Sequence, residues 1–371
     1  MVGKVFVVDA RMILNSGIGI YIENFVKGLA NTGKYSIVLL GSEKELSSVF
    51  DNNHYYKIID IDVPIYSILE QLYLPFVVPK CDIFWSPHYN IPLLPIRAKK
   101  RLVTIHDTYH ITFGNTLGPF KRLYAKLMLK IAVALSDIVF TVSEFSRSEI
   151  YRHVNTKKNI ISIYNGIDLN KFSINNNSHI VYKVREKLSL PHKYILFVGN
   201  VKPNKNIVRL LLAFKKLISK DFNYCLVIVG KKEGFINGDE EVFDLLKNDE
   251  ILSSRVTFTG YVDIMDLPIL YQSAAVLAFP SIYEGFGLPP LEAMACGCPV
   301  IVSSTSSLPE VCGEKAALYI NPLEVDSIAD GLQSVLLNEN IRKQLILEGS
   351  LRCKEFSWSK SVSKFIVSIE R

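Results

Sequence analysis

Two glutamates, Glu284 and Glu292, stand either side of the run Gly285, Phe286, Gly287, Leu288, Pro289, Pro290, Leu291, a combination suited to a ligand that is both anionic and rich in hydroxyls. The glycines let backbone come close to a ligand, and the prolines fit the first turn of a helix. Unpaired N–H groups and the helix dipole favour an anion there. Glu284, at the end of an apolar strand, projects into the crevice and Glu292 lies about one helical turn in, near the same opening, where a carboxylate can accept from sugar or ribose hydroxyls. The plain alternative is that Glu292 complements the helix dipole and Glu284 is a solvated loop residue.

Three further stretches have the types and placement for the same chemistry. Phe197 to Asn206 follows another strand and opens a helix, and a lysine there, Lys205 or Lys202, can neutralise a departing diphosphate as a metal does elsewhere. Asn15, Ser16, Gly17, Ile18, Gly19 follows the first strand and looks like a dinucleotide loop, but Ile22 stands where a third glycine belongs. The second strand also ends Leu39, Leu40, Gly41, Ser42 without a ribose-binding acid, which disfavours a nicotinamide enzyme. His106 ends a strand at a crevice mouth with Asp107 beside it to orient the ring. A structural histidine is the alternative. Asp60 and Asp62 have metal-motif spacing but lie far in sequence from Glu284, and Cys296 and Cys298 lack partners at finger spacing, so no metal site is expected.

The elements that position these residues follow from hydrophobic periodicity. Short β-branched runs at Lys4 to Asp9, Tyr35 to Gly41, Asp82 to Ser86, Leu102 to His106 and Ile138 to Ser143 alternate with helical patterns. The pattern returns at Tyr194 to Gly199, Cys225 to Gly230, Arg255 to Thr259, Val276 to Pro280 and Pro299 to Ser303. Such alternation specifies two doubly wound parallel sheets, α/β in class, with ligands in the loops after the strands and a cleft between the sheets. A polar, Asn-rich stretch from Asn165 marks a hinge, giving an N-terminal domain over 1–165 and a C-terminal domain over 166–352. In the remaining 353–371, Trp358, Val362, Phe365, Ile366 and Ile369 form one apolar helix face, to be covered by its own domain or by the N-terminal one.

Composition sets outer bounds. The chain of 371 residues, 49% hydrophobic and 21% charged, can bury two cores. A net charge of +6 with dispersed basic residues does not suit dedicated nucleic-acid binding. Six cysteines, mostly in apolar runs, fit reduced thiols in the cytoplasm, and Asp9 and Arg11 interrupt what would otherwise resemble a leader. No uncharged run approaches the roughly 18 residues of a membrane span. From Pro119 to Leu135 the pattern gives a basic amphipathic helix, with Arg122, Lys126 and Lys130 on one face and Leu123, Leu127 and Ile131 on another. It suits either an anionic membrane surface or an ordinary half-buried position.

The run from Glu284 to Glu292, continued by Glu-Ala-Met-Ala-Cys-Gly-Cys-Pro-Val-Ile and by Ser306 to Gly313, closely resembles the donor-site motif of glycosyltransferase family 4, and the similarity extends over nearly the whole chain. The resemblance implies a GT-B fold, two Rossmann-like domains facing a cleft, and metal-independent transfer with retention from a nucleotide diphosphate sugar. It implies that Glu284 faces the donor sugar, that the backbone of Phe286, Gly287 and Leu288 holds sugar and phosphate oxygens, and that Glu292 binds the ribose. By the same resemblance Lys205 neutralises the diphosphate, Gly17 closes on the donor phosphates from the opposite domain, and His106 contacts the donor sugar or positions the acceptor. Many members carry an arginine where this chain has Asn200, which leaves the second phosphate contact to Lys202. The loop from Ser16 to Tyr21 and the segment from Ser306 to Val311 are similar to bacterial mannosyltransferases of surface polysaccharide and lipopolysaccharide synthesis. That similarity implies GDP-mannose as donor, a saccharide or lipid-linked acceptor, and a cytoplasmic enzyme that meets the inner face of the plasma membrane. A phosphorylase or disaccharide synthase of the same fold, and a non-catalytic nucleotide-sugar-binding scaffold, are the alternatives.

Overall fold

The structure is a computed structural model and describes residues 3–50, 55–113, 119–230 and 239–371. These fall into two compact units, Met1–Gly166 with Ser357–Arg371, and Ile167–Phe356.

The first unit is built on β1 (Lys4–Asp9), β2 (Tyr35–Gly41), β3 (Tyr56–Asp60), β4 (Cys81–Ser86), β5 (Ala98–Ile105), β6 (Ile138–Thr141) and β7 (Ile160–Ser162). They form one sheet in the order β3-β2-β1-β4-β5-β6-β7, every pairing parallel. Its inner strands are buried on both faces, which is why they are continuous apolar runs such as Val5 to Val8. The register sets Val7 against Val38 and Phe6 against Ile83. Chain direction across the sheet reverses between β1 and β4, and the loops leaving those two strands hold the ligand position of such sheets.

Two helices of this unit bear on the sequence expectations. Trp358–Glu370 buries Val362, Phe365, Ile366 and Ile369. The Phe365 ring meets Phe25, Trp85 and Phe140 at centroid distances of 5.1, 5.1 and 4.5 Å. Gly28 gives it room, since a Cβ there would lie 2.6 Å from Val362. Pro119–Leu135 departs from the expected face assignment. It buries Ala125, Met128, Leu129, Ala132 and Val133, partly against Val103 and Val139 of the sheet. Leu123 and Leu127 instead stand exposed at 66% and 53%, on the side that carries Arg122, Lys126 and Lys130. The helix is apolar at nearly every position that is not basic, so its small residues, which allow close approach to the sheet, decide the packed face.

The second unit has β8 (Tyr194–Val198), β9 (Cys225–Val229), β10 (Val256–Gly260), β11 (Val276–Phe279), β12 (Val300–Ser303) and β13 (Leu318–Ile320). Their order is β10-β9-β8-β11-β12-β13, again all parallel. The reversal here lies between β8 and β11, so the segments after Val198 and after Phe279 share the crevice position. Of the six free cysteines, five are buried.

Candidate active site

In the second unit the residues that sequence placed 79 positions apart meet. The turn Pro203–Lys205 follows β8 and the run Pro280 to Gly287 follows β11, and Lys205 Nζ lies 2.6 Å from Glu284 Oε1. Both side chains are mostly buried, at 17% and 13% exposed, and the ammonium also sits 5.1 Å from the Phe279 ring centroid. Backbone and amide bonds lock the two loops together. Ile282 N donates to Asn204 O at 2.8 Å, Asn204 Nδ2 to Tyr283 O at 3.1 Å, and Asn206 Nδ2 to Pro280 O at 3.0 Å. Ser307 Oγ lies within reach of two carbonyls of the second loop, Glu284 O at 3.0 Å and Phe286 O at 2.8 Å.

Gly287 is the N-cap of the helix Leu288–Ala295 at φ 103°, with no side-chain cap bond. A β-carbon there would strike Leu308 at 2.7 Å, so conformation and space both require glycine. Pro289 and Pro290 carry no N–H, which concentrates the donors of the helix start in Gly287 and Leu288. Phe286 is buried with its ring edge-on to Phe356, which leaves the backbone as its contribution to a ligand. Glu292 lies in the same helix at 7% exposure and accepts from the Tyr271 hydroxyl at 2.7 Å. Burial pushes its carboxyl up to about 7, against the opposing pull of Tyr271 and Lys171.

In the first unit β5 ends at Ile105, so His106 is the first loop residue rather than the last of the strand. Its Nε2 lies 2.9 Å from Pro87 O, an acceptor only, so Nε2 carries the proton. The Tyr21 ring packs edge-on at 4.9 Å. Burial lowers the imidazole to about 4, outweighing the Pro87 and Asp107 contributions, and the ring is neutral with Nδ1 as its basic atom. The expected orienter, Asp107, accepts instead from Tyr109 N at 2.9 Å; Pro87 and Tyr21 hold the ring. Gly17 lies in the first turn of the helix Ser16–Asn31, and a β-carbon on it would meet nothing within 4 Å. The glycine that the fold itself demands is Gly19, whose β-carbon would fall 2.0 Å from Ile13 O.

Sequence reasoning passed over a buried ionic cluster at the β1 and β4 ends. Arg11 bridges Asp9 at 2.7 Å and Glu70 at 2.6 Å, with His88 on Asp9 and Asn90 on Glu70. Burial alone would raise the Asp9 carboxyl, but Arg11 and His88 hold it well below the usual range. The alternation of Asp9 and Arg11 on the strand end was the one available signal. Tyr271, Ser307 and Asn206 left none, because their partners lie 21 to 116 residues away. Asp60 caps the helix Glu43–Val49 through Glu43 N at 2.9 Å.

Comparison with known proteins identifies the family. The pattern of the family described as Glycosyl transferases group 1 matches residues 182–351, and that of Glycosyltransferase Family 4 matches 15–171. The O-antigen chain mannosyltransferase B of Escherichia coli is 32% identical over 76% of this chain and 73% of its own length. The serotype-specific mannosyltransferase WbdA of Escherichia coli is 28% identical over 75% of this chain, which spans only 32% of that longer protein. Among solved structures, Anabaena Alr3699/HepE in complex with UDP-glucose superposes with a TM-score of 0.78, covering 99% of both chains at 16% identity.

Proposed function

The chain belongs to glycosyltransferase family 4 and its two parallel-sheet units are of the GT-B class, and from that premise we propose that it transfers mannose from GDP-mannose to a saccharide or lipid-linked acceptor in surface polysaccharide synthesis, with retention. The observation that supports a donor site in the second unit is the Lys205–Glu284 pair, 2.6 Å apart beside the Gly287 helix start. Lys205 and the N–H groups of Gly287 and Leu288 take the diphosphate, the Phe286 to Leu288 backbone meets sugar and phosphate oxygens, and Glu292 takes the ribose. Glu284 faces the anomeric centre. In the transfer the acceptor oxygen bonds to the anomeric carbon as the bond from that carbon to the phosphate oxygen breaks. The leaving diphosphate receives the acceptor proton, on the same face. For the first unit we assign Gly17 and His106 to substrate contact, the neutral imidazole offering Nδ1 to a sugar hydroxyl. Mannose is favoured by the similarity to the two Escherichia coli mannosyltransferases, whereas the structural relative holds a UDP-sugar. Thermal protection by a panel of nucleotide sugars decides the donor. GDP-mannose is expected to give the largest shift, and protection by UDP-sugars alone overturns the mannose assignment.

The acceptor side includes a peripheral membrane contact through the helix Pro119–Leu135. Its outer side combines exposed Leu123 and Leu127 with Arg122, Lys126 and Lys130, and the helix contains no acidic residue. Exposed leucines beside cations fit an anionic lipid interface. Among the described residues no helix is long and apolar enough to cross a membrane.

A further inference from the structure

Tyr271, in the helix Leu267–Ser273, is fully buried, and its hydroxyl donates to Glu292 Oε2 at 2.7 Å. The other oxygen, Oε1, accepts no hydrogen bond among the described residues. A glutamate side chain has three rotatable bonds and, when ionised, two oxygens that only accept. Anchoring one oxygen therefore fixes the direction in which the second can serve a ligand. We propose that Tyr271 is a positioning residue for nucleotide binding, holding Glu292 as an oriented carboxylate whose Oε1 receives a ribose hydroxyl. This rests on the assignment of Glu292 to the ribose.

The surroundings give the arrangement a pH signature. Glu292 faces Tyr271 from the neighbouring helix, Lys171 from the segment Asp168 to Phe172, and the Cys296 thiol at the end of its own helix. Burial and the adjacent carboxylate push Tyr271 far above its ordinary value, and burial pushes Cys296 upward too, so both stay protonated near neutrality. Glu292, raised to about 7, is the group that changes charge there. Its ionised form is favoured by the phenol donor, so removing the phenol moves its titration upward.

The test is binding of GDP and of UDP to the full chain between about pH 5.5 and 9. Wild-type affinity is expected to rise with pH through about 7. Tyr271→Phe, checked for folding by circular dichroism, should bind roughly tenfold more weakly near neutrality, with its midpoint roughly one to two pH units higher, the equivalent of a charge-assisted hydrogen bond. Glu292→Gln should bind weakly at every pH. A Tyr271→Phe variant with wild-type affinity and midpoint, alongside a weak Glu292→Gln, overturns the positioning role and leaves the ribose assignment standing. Wild-type binding by Glu292→Gln overturns both. If Tyr271→Phe does not fold, difluorotyrosine at position 271, a stronger donor, should lower the midpoint, and an unchanged midpoint refutes the proposal.

Discussion

Replacing Glu284 by Gln removes one charge and keeps the side chain's shape, so it separates what the Lys205–Glu284 contact does for binding from what it does for chemistry. At 2.6 Å and 17% and 13% exposure the pair is neither a screened surface bridge nor a fully dry one. Without donor, its loss should cost the fold about 1 kcal/mol, since the Gln carbonyl still accepts from Lys205. With donor, Lys205 must be shared with a phosphate, and a neutral Gln competes for it less than a carboxylate does. Donor affinity should therefore hold within roughly threefold or tighten. Turnover should fall by roughly a hundredfold, about 3 kcal/mol, because positive character at the anomeric carbon loses the protein carboxylate that faces it. Calorimetric titration of donor and single-turnover transfer to acceptor give the two numbers, with melting as the folding control. Near-normal turnover would refute the reasoning. So would an affinity loss larger than the rate loss, which would make the pair a structural clamp.

Transfer should persist in excess chelator, with Lys205 and the helix start carrying the phosphate charge; activity that returns only with magnesium or manganese rejects this. His106 has a folded value near 4 against an ordinary 6.5. As pH falls from 6.5 toward 4 the unfolded chain takes up a proton at this ring that the folded chain refuses. The group therefore costs up to about 3 kcal/mol of stability across that window. His106→Asn should accordingly gain stability relative to wild type on acidification, and parallel melting curves over the window would show that burial of the ring is not what sets its titration. Leu127→Glu with Lys126→Glu should abolish cosedimentation with phosphatidylglycerol vesicles while leaving transfer to a water-soluble acceptor unchanged. Retained binding, or equal binding to phosphatidylcholine vesicles, rejects the membrane contact.

The strands most legible in sequence share one physical feature. β1, β2, β8, β9, β11 and β12 are continuous apolar runs because both faces are covered. β7 and β13 went unread; like β3 and β10 they are sheet edges, and the five-residue β10 shows that a half-buried edge is legible when it is long enough. β7 and β13 are three residues each, too short for any period to register. The helix Pro119–Leu135 was legible in its span but not in its buried face, for a different reason. With apolar residues all round, its pattern is compatible with several buried faces, and only the contact of Ala125, Leu129 and Ala132 with the sheet selects one. Within the site, the Glu284 to Glu292 run was legible because loop, glycine, prolines and acids are consecutive. The side chains that meet those acids, Tyr271 and Lys205, come from other segments and are brought in only by the strand order.

That strand order also explains how the second unit can hold a mostly buried lysine, proposed above for the donor phosphate, without burying an uncompensated charge. β8 and β11 are neighbours at the reversal of the sheet, so the loops after them must run side by side. The hydrogen bonds from Ile282 to Asn204, from Asn204 to Tyr283 and from Asn206 to Pro280 turn that adjacency into one frame. Lys205 and Glu284 are mounted on it and neutralise each other, which avoids the large penalty of a lone buried ion. A donor phosphate that draws on Lys205 leaves the Glu284 carboxylate less compensated, and in the proposed geometry it does so beside the carbon where positive charge then develops. The groups are already in place and only their partners change, so little reorganisation is required at the moment of transfer, the condition under which fixed charges stabilise a transition state most.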